Sequence, residues 1–178
     1  MFDSAPRMFF LSLRNGAIAG ILGFVLMIVL YYMGKHPFLF PIYFDFRVVL
    51  LSVFLVVTLK EYRDYSQEGI LYFSQGMIMS LIFTIVFALV ASLLIGLFGY
   101  LFPEFLSSYI ANATEQLKNI QPEMIEQIGK EAYEKGISQL PDTKMTDLMI
   151  DYFIKSFVIS FFVSIIISVI LRKQPKII

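Results

Sequence analysis

Residues 69–103 run for thirty-five positions without one Asp, Glu, Lys or Arg. At about 1.5 Å per helical residue, such a run outreaches a bilayer core of roughly 30 Å. A chain of 178 residues folding in water has no use for it, so the run places the protein in a membrane. The rest of the composition agrees: 58% of residues are hydrophobic and 16% charged, a balance of the membrane class. Basic and acidic residues are equal in number, which gives nucleic acid no electrostatic foothold. Cysteine is absent, and with it disulfides, thiolate metal sites and a cysteine nucleophile.

Four segments are expected to cross. The first, about 14–34, holds twenty uncharged residues between Arg14 and Lys35. It is longer than the apolar part of a typical signal peptide and is read as a retained helix. The second ends before Lys60. Its uncharged part, 48–59, is only twelve residues, or roughly 18 Å of helix. It must therefore reach back through Arg47 and Asp45 to about Pro41, giving a span of about 41–60; proline suits a first helical turn. The third is placed at about 76–102 and the fourth at about 152–171, ahead of Arg172 and Lys173. The tyrosines avoid the middle of every span. Tyr31, Tyr32, Tyr43, Tyr100 and Tyr152 would mark one membrane interface, and Tyr62, Tyr65 and Tyr72 the other.

An even number of crossings puts both termini on one side. Arg7, Arg14, Lys60, Arg63, Arg172, Lys173 and Lys176 all lie on that side, close to helix ends. Such cations set topology, so both termini and the turn at 60–68 are expected in the cytoplasm. Residues 104–151 then face outward. They carry nine acidic residues against Lys118, Lys130, Lys135 and Lys144, yet they are not a disordered linker. Phe105, Leu106, Tyr109, Ile110, Ala113, Leu117 and Ile120 recur at helical spacing. A second helix is expected from Pro122 through Tyr133, interrupted by Gly136 and Pro141. Asp142 is the expected N-cap of a helix running on into the fourth span. The loop reads as an extracytoplasmic helical cap whose apolar faces need the bundle top, the lipid interface or another chain.

Small residues line three spans. The last carries Ser156, Ser160, Ser164 and Ser168 at strict four-residue spacing. The first has Gly16, Gly20 and Gly23, and the third Ala88, Ser92 and Gly96. In lipid, helices associate through close approach and interhelical hydrogen bonds, so these are packing faces. They serve a tight bundle, a dimer seam or a polar path for a solute.

Ionisable residues at membrane depth are functional candidates. Asp45 and Arg47 lie about 20 Å along a helix from Lys60, and Lys155 about 25 Å from Arg172, near the outer interface. Asp151 precedes Lys155 by four residues, a favourable helical pair. Asp45 is expected to pair with Arg47 or Lys155 across the bundle top, the alternative being cations that snorkel into water. The turn at 60–69 is dense in charge and aromatics, and Gly69 allows the chain to reverse. Catalytic groups are scarce. The single histidine, His36, supports neither a histidine metal cluster nor a serine triad. The acidic loop lacks the spacing of a calcium loop. No cofactor or metal site is expected, and enzyme activity is not.

Leu59-Lys60-Glu61-Tyr62-Arg63-Asp64, then Gly69 and Phe73-Ser74-Gln75-Gly76, resemble a known pattern. With Pro103-Glu104 opening a long polar loop, the chain is similar over almost its whole length to the bacterial membrane proteins of domain of unknown function 4199, found mostly in Bacteroidota. The resemblance implies a four-helix inner-membrane protein and no particular activity. The first outer loop, 35–44, departs from many members in its aromatics and prolines.

The sequence therefore reads as an all-α membrane protein with four transmembrane helices, both termini cytoplasmic and an outer helical cap between the third and fourth. Its expected role is non-enzymatic, as an accessory or scaffold component of a membrane assembly. A membrane protein partner or a homodimer would accompany the lipid bilayer, and no nucleic acid. The alternative is a small transporter or channel subunit, which needs a continuous polar cavity. A third reading, an enzyme using loop carboxylates, needs several acids gathered on a cation.

Overall fold

The computed structural model describes residues 4–34, 36–40 and 45–174. Among the described residues seven α-helices follow in order: α1 Ser4–Tyr32, α2 Phe46–Ser66, α3 Phe73–Leu101, α4 Glu104–Lys118, α5 Pro122–Ile128, α6 Lys130–Gln139 and α7 Met145–Leu171. Short 3-10 helices occupy Pro37–Leu39 and Leu140–Asp142. Among the described residues there is no strand, only one antiparallel bridge between Leu71 and Lys173.

Among the described residues three helices, α1, α3 and α7, are long and apolar enough to cross a membrane. The expected fourth, α2, has the length at 21 residues but not the composition. Arg47, Lys60, Glu61, Arg63 and Asp64 all lie within it. It begins at Phe46 with Asp45 as its cap, and the expected start at Pro41 lies outside the described residues.

The long helices pack side by side. Helix α3 lies against α1 and α7, and α2 against the same two. A file of leucines, Leu51, Leu55 and Leu59, buries one face of α2, and Phe83, Phe87 and Ile95 bury the matching face of α3. The opposite faces are apolar as well: Val49 and Val53 of α2, Leu93 and Leu97 of α3, and Phe162 and Ile166 of α7 are all exposed. Helices that are apolar all round need hydrocarbon outside as well as inside.

Several boundaries differ from expectation. Helix α1 starts ten residues before Arg14, so Arg7 and Arg14 ride on its first turns. The second loop helix breaks at Gly129, whose φ of 92° opens the left-handed region. Gly136 then sits inside α6. Helix α7 opens at Lys144 instead of Asp142: the Lys144 N–H donates to Asp147 Oδ2 at 2.8 Å, so the acid three residues in does the capping. Two of the expected interface tyrosines point into the helix packing, away from the outer surface. Tyr62 and Tyr152 are buried, while Tyr32, Tyr65 and Tyr100 are well exposed; Tyr43 lies outside the described residues.

At the α2–α3 turn, Gly69 N–H donates to Arg63 O at 2.9 Å. This bond reaches back six residues, one further than a Schellman closure, and ends the helix. The left-handed position belongs to Glu68 (φ 49°), with Gly69 following at φ 84°. The same turn holds the end of α7. Leu71 N–H donates to Lys173 O at 2.9 Å, and Lys173 N–H returns a bond to Leu71 O at 3.0 Å.

Candidate functional site

The charged candidates meet where the start of α2 faces the start of α7. Asp45 Oδ1 accepts from the Arg47 N–H at 2.9 Å, capping α2. The Arg47 Nε–H donates to both Asp45 oxygens at 2.8 Å, and the Arg47 Nη2 and Asp45 complete an ion pair. Across the helix interface, Arg47 Nη1 donates to Ser156 Oγ at 3.2 Å and reaches Tyr152 O at 3.4 Å. The guanidinium lies 4.8 Å from the Tyr152 ring centre. Arg47 is buried, so a cation deep enough to be costly has its charge matched by Asp45 and most of its donors used.

Asp151 and Lys155 lie beside this node. Lys155 Nζ donates to Asp151 Oδ2 at 2.7 Å, one turn along α7 and partly exposed. All four charged residues line one small cavity of about 40 Å3, closed by Phe38, Phe40, Phe46 and Met27. The four candidates are thus brought together, and Asp45 pairs with Arg47, one of its two expected partners, though within its own helix start and not across the bundle. Asp45 takes the arginine two residues along its own chain, and Arg47, not Asp45, makes the link to α7. A carboxylate at an N-cap is already beside the residue two ahead of it, so the local partner wins.

A second cluster sits between α1, the Pro37–Leu39 turn and α4. His36 is buried, and its Nε2–H donates to Phe105 O at 3.1 Å. Its ring packs among Tyr31, Phe38, Phe105 and Tyr109, with centres 4.8–6.0 Å away. Burial outweighs the bond to Phe105 and pulls the His36 pKa from 6.5 down to about 4, so the ring is neutral at pH 7. Tyr109 is held above its usual value by burial and then by the Asp151 charge. Beside His36 an open cleft of about 380 Å3 is lined by Gly34, Phe40, Asn112, Glu115 and Gln116.

The small-residue faces are used inside the chain. A Cβ on Gly16 would stand 2.7 Å from Phe83 O, and one on Gly20 2.9 Å from Phe87 O, so α1 and α3 touch backbone to backbone. Gly23 makes room for the Phe87 ring and the Tyr152 hydroxyl, and Gly96 for the Met149 side chain. Ala88 and Ser92 are buried, and Ser92 Oγ donates to Leu89 O at 3.1 Å. On α7, Ser156, Ser160, Ser164 and Ser168 are all buried. Ser156 accepts from Arg47, Ser160 bonds to Thr84, and Ser168 fills the space beside Gly76. Sequence reasoning missed the matching polar link between α1 and α2, where Asn15 Nδ2 donates to Thr58 Oγ1 at 3.0 Å, buried. The available signal was an amide one residue inside a span. Among the described residues no three of His, Asp and Glu converge as a metal-binding group.

The order Lys60-Glu61-Tyr62-Arg63-Asp64, Gly69, Phe73-Ser74-Gln75-Gly76 maps onto the end of α2, the turn after it and the start of α3. There, the Tyr72 N–H donates to Gln75 Oε1 at 3.1 Å and caps α3. The family model described as "Protein of unknown function (DUF4199)" matches residues 14–173. The chain belongs to the DUF4199 family. The match takes in α1 from Arg14 onward and all of α2–α7. Neither a curated protein nor a solved structure matches the chain.

Proposed function

We propose that this DUF4199 protein is a bacterial inner-membrane protein of four crossings, with both termini cytoplasmic, and that α2 crosses with the other three. What supports a crossing α2 is the treatment of its one deep cation. Arg47 is paired to Asp45 and bonded into α7, which removes the main cost of placing it near the hydrocarbon. Its remaining charges, Lys60 to Asp64, gather in the last two turns. Both ends can then sit at interfaces with an apolar stretch between them. In this arrangement α4–α6 form an extracytoplasmic cap over one end.

The role proposed is non-catalytic: an accessory or scaffold component of a membrane assembly. The single observation that carries it is the inward direction of the polar groups. Ser160 of α7 bonds to Thr84, Asn15 donates to Thr58, and Thr84 and Thr58 donate to backbone carbonyls of their own helices, all inside the helix packing, while the outer faces are apolar. That is a solid membrane body, not a lined path, and it weighs against the transporter alternative. The partner surface falls to α4–α6. Met124 and Ile128 of α5 are exposed on a segment with nine acids along residues 104–151. Purification in mild detergent followed by native mass measurement tests this reading. A complex with one or more other membrane proteins is the expected result; a lone monomer from native lipid contradicts it.

A further inference from the structure

Between α3 and α7 opens a cleft of about 170 Å3, lined by Met77, Ile78 and Leu81 on one side and Phe157, Phe161 and Ser164 on the other. Thr84 lies at its floor, but its hydroxyl is already spent on Ser80 O and Ser160. The cleft is therefore apolar. Leu81 and Phe161 are each about half exposed, so it opens sideways, away from the other long helices.

Beyond this cleft, the end of α7 carries two cations, Arg172 and Lys173, with Lys173 Nζ over the turn at Gly69. Arg172 follows Phe161 by eleven residues, which is about three helical turns and returns it to the same face. The Leu71–Lys173 bridge ties the end of α7 to the start of α3, so Arg172 and Lys173 stand, exposed, beside the first turn of α3. Among the described residues neither forms a salt bridge with a carboxylate; the neighbouring Asp64 is paired with Arg63 at 2.7 Å. The positive end of the α3 dipole adds to the same field. From Ser164 to Arg172 is about 12 Å along the helix, the reach from a lipid phosphate to the first part of its chain.

We infer that one anionic phospholipid seats on this face, its acyl chain in the α3–α7 cleft and its phosphate on Arg172 and Lys173. The inference rests on the reading of the protein as membrane-embedded. It adds a binding site for a lipid of stated charge, and charge complementarity selects that occupant over a second protein helix.

Native mass measurement with phosphatidylglycerol and phosphatidylcholine of identical chains tests it. The full-length protein is expected to retain one phosphatidylglycerol in preference to phosphatidylcholine. R172Q and K173Q should each lower that preference by about fivefold, since a cation near an anionic lipid contributes roughly that factor. L81W, which fills the cleft from a half-exposed position, should reduce retention of both lipids. Should L81W fail to fold, the two surface variants still decide the matter. Equal retention of the two lipids, or an R172Q/K173Q double variant that keeps wild-type preference, overturns the inference. So does a lipid-free dimer that L81W abolishes, because the cleft would then take a second copy. A carbonate wash separates the two levels: protein that stays in the membrane without lipid preference defeats this inference alone, and protein released by the wash defeats the membrane reading too.

Discussion

Arg47 of α2 donates to Ser156 of α7 at 3.2 Å while holding Asp45 at its own helix start. One side chain thus joins two helices more than a hundred residues apart in sequence. Arg47→Met would leave the buried Asp45 carboxylate without its cation, and a loss of about 3–5 kcal/mol is expected. Ser156→Ala removes one acceptor and should cost about 1 kcal/mol. The double variant Asp45→Asn, Arg47→Met keeps the cap and removes both charges, so it should be clearly more stable than Arg47→Met. Denaturation midpoints in detergent measure all three. A double variant no better than the single one would show that the ion pair is not what holds Arg47 in place.

The glycines of α1 and α6 should respond in opposite directions. Gly16 faces the Phe83 carbonyl with no room for a methyl group, and backbone cannot move aside as a side chain can. Gly16→Ala is expected to destabilise by about 1–3 kcal/mol, the cost of overpacking. Gly136 has nothing within 4 Å of its missing Cβ. Gly136→Ala should stabilise by up to about 1 kcal/mol through helix propensity alone. Thermal unfolding of the two variants side by side checks the α1–α3 contact.

How far the fold could be read from sequence depended on how local each cause was. The long uncharged runs and the four-residue serine spacing located α1, α3 and α7 and the faces they bury, because period and length are local properties. Helix starts went astray where the deciding group was a side chain several residues away, as at Asp147 capping Lys144, or a glycine dihedral, as at Gly129. Tyr62 and Tyr152 turn into the helix packing, which the sequence did not show because depth along a helix does not tell which way a ring points; only the packed partner does. The Asp45 cluster was half legible. Depth flagged the four charged residues, but the link from Arg47 to Ser156 depends on the α2–α7 contact, which no spacing reveals.

Acid should weaken the protein through His36. The unfolded chain takes up a proton as pH falls past 6.5, whereas folded His36 does so only near 4. The unfolded state therefore binds more protons in that window, and stability falls from pH 6.5 towards pH 4, by up to about 3 kcal/mol. Unfolding curves of the wild type and His36→Phe at pH 7 and pH 4.5 measure it. The variant loses the bond to Phe105 and should be less pH-dependent. Identical pH dependence in the two proteins would remove His36 from the account.

Glu68 adopts the left-handed conformation at the end of α2, where a side chain carries a steric cost that glycine lacks. Glu68→Gly should be stabilising by up to about 1 kcal/mol. Hydrogen exchange at the Gly69 amide, bonded to Arg63 O, reports the turn directly. Faster exchange in the variant would show that Glu68 contributes more than its backbone angle.

Whether α2 crosses the membrane is the point on which the account turns, and the absence of cysteine makes it directly measurable. Single cysteines at Tyr32, Tyr65 and Glu123, all on exposed positions, are to be labelled in intact cells with a membrane-impermeant maleimide. Tyr32→Cys and Glu123→Cys should label from outside, and Tyr65→Cys only after the membrane is opened. Labelling of Tyr32→Cys and Tyr65→Cys from the same side would contradict a crossing α2 and the four-span arrangement with it.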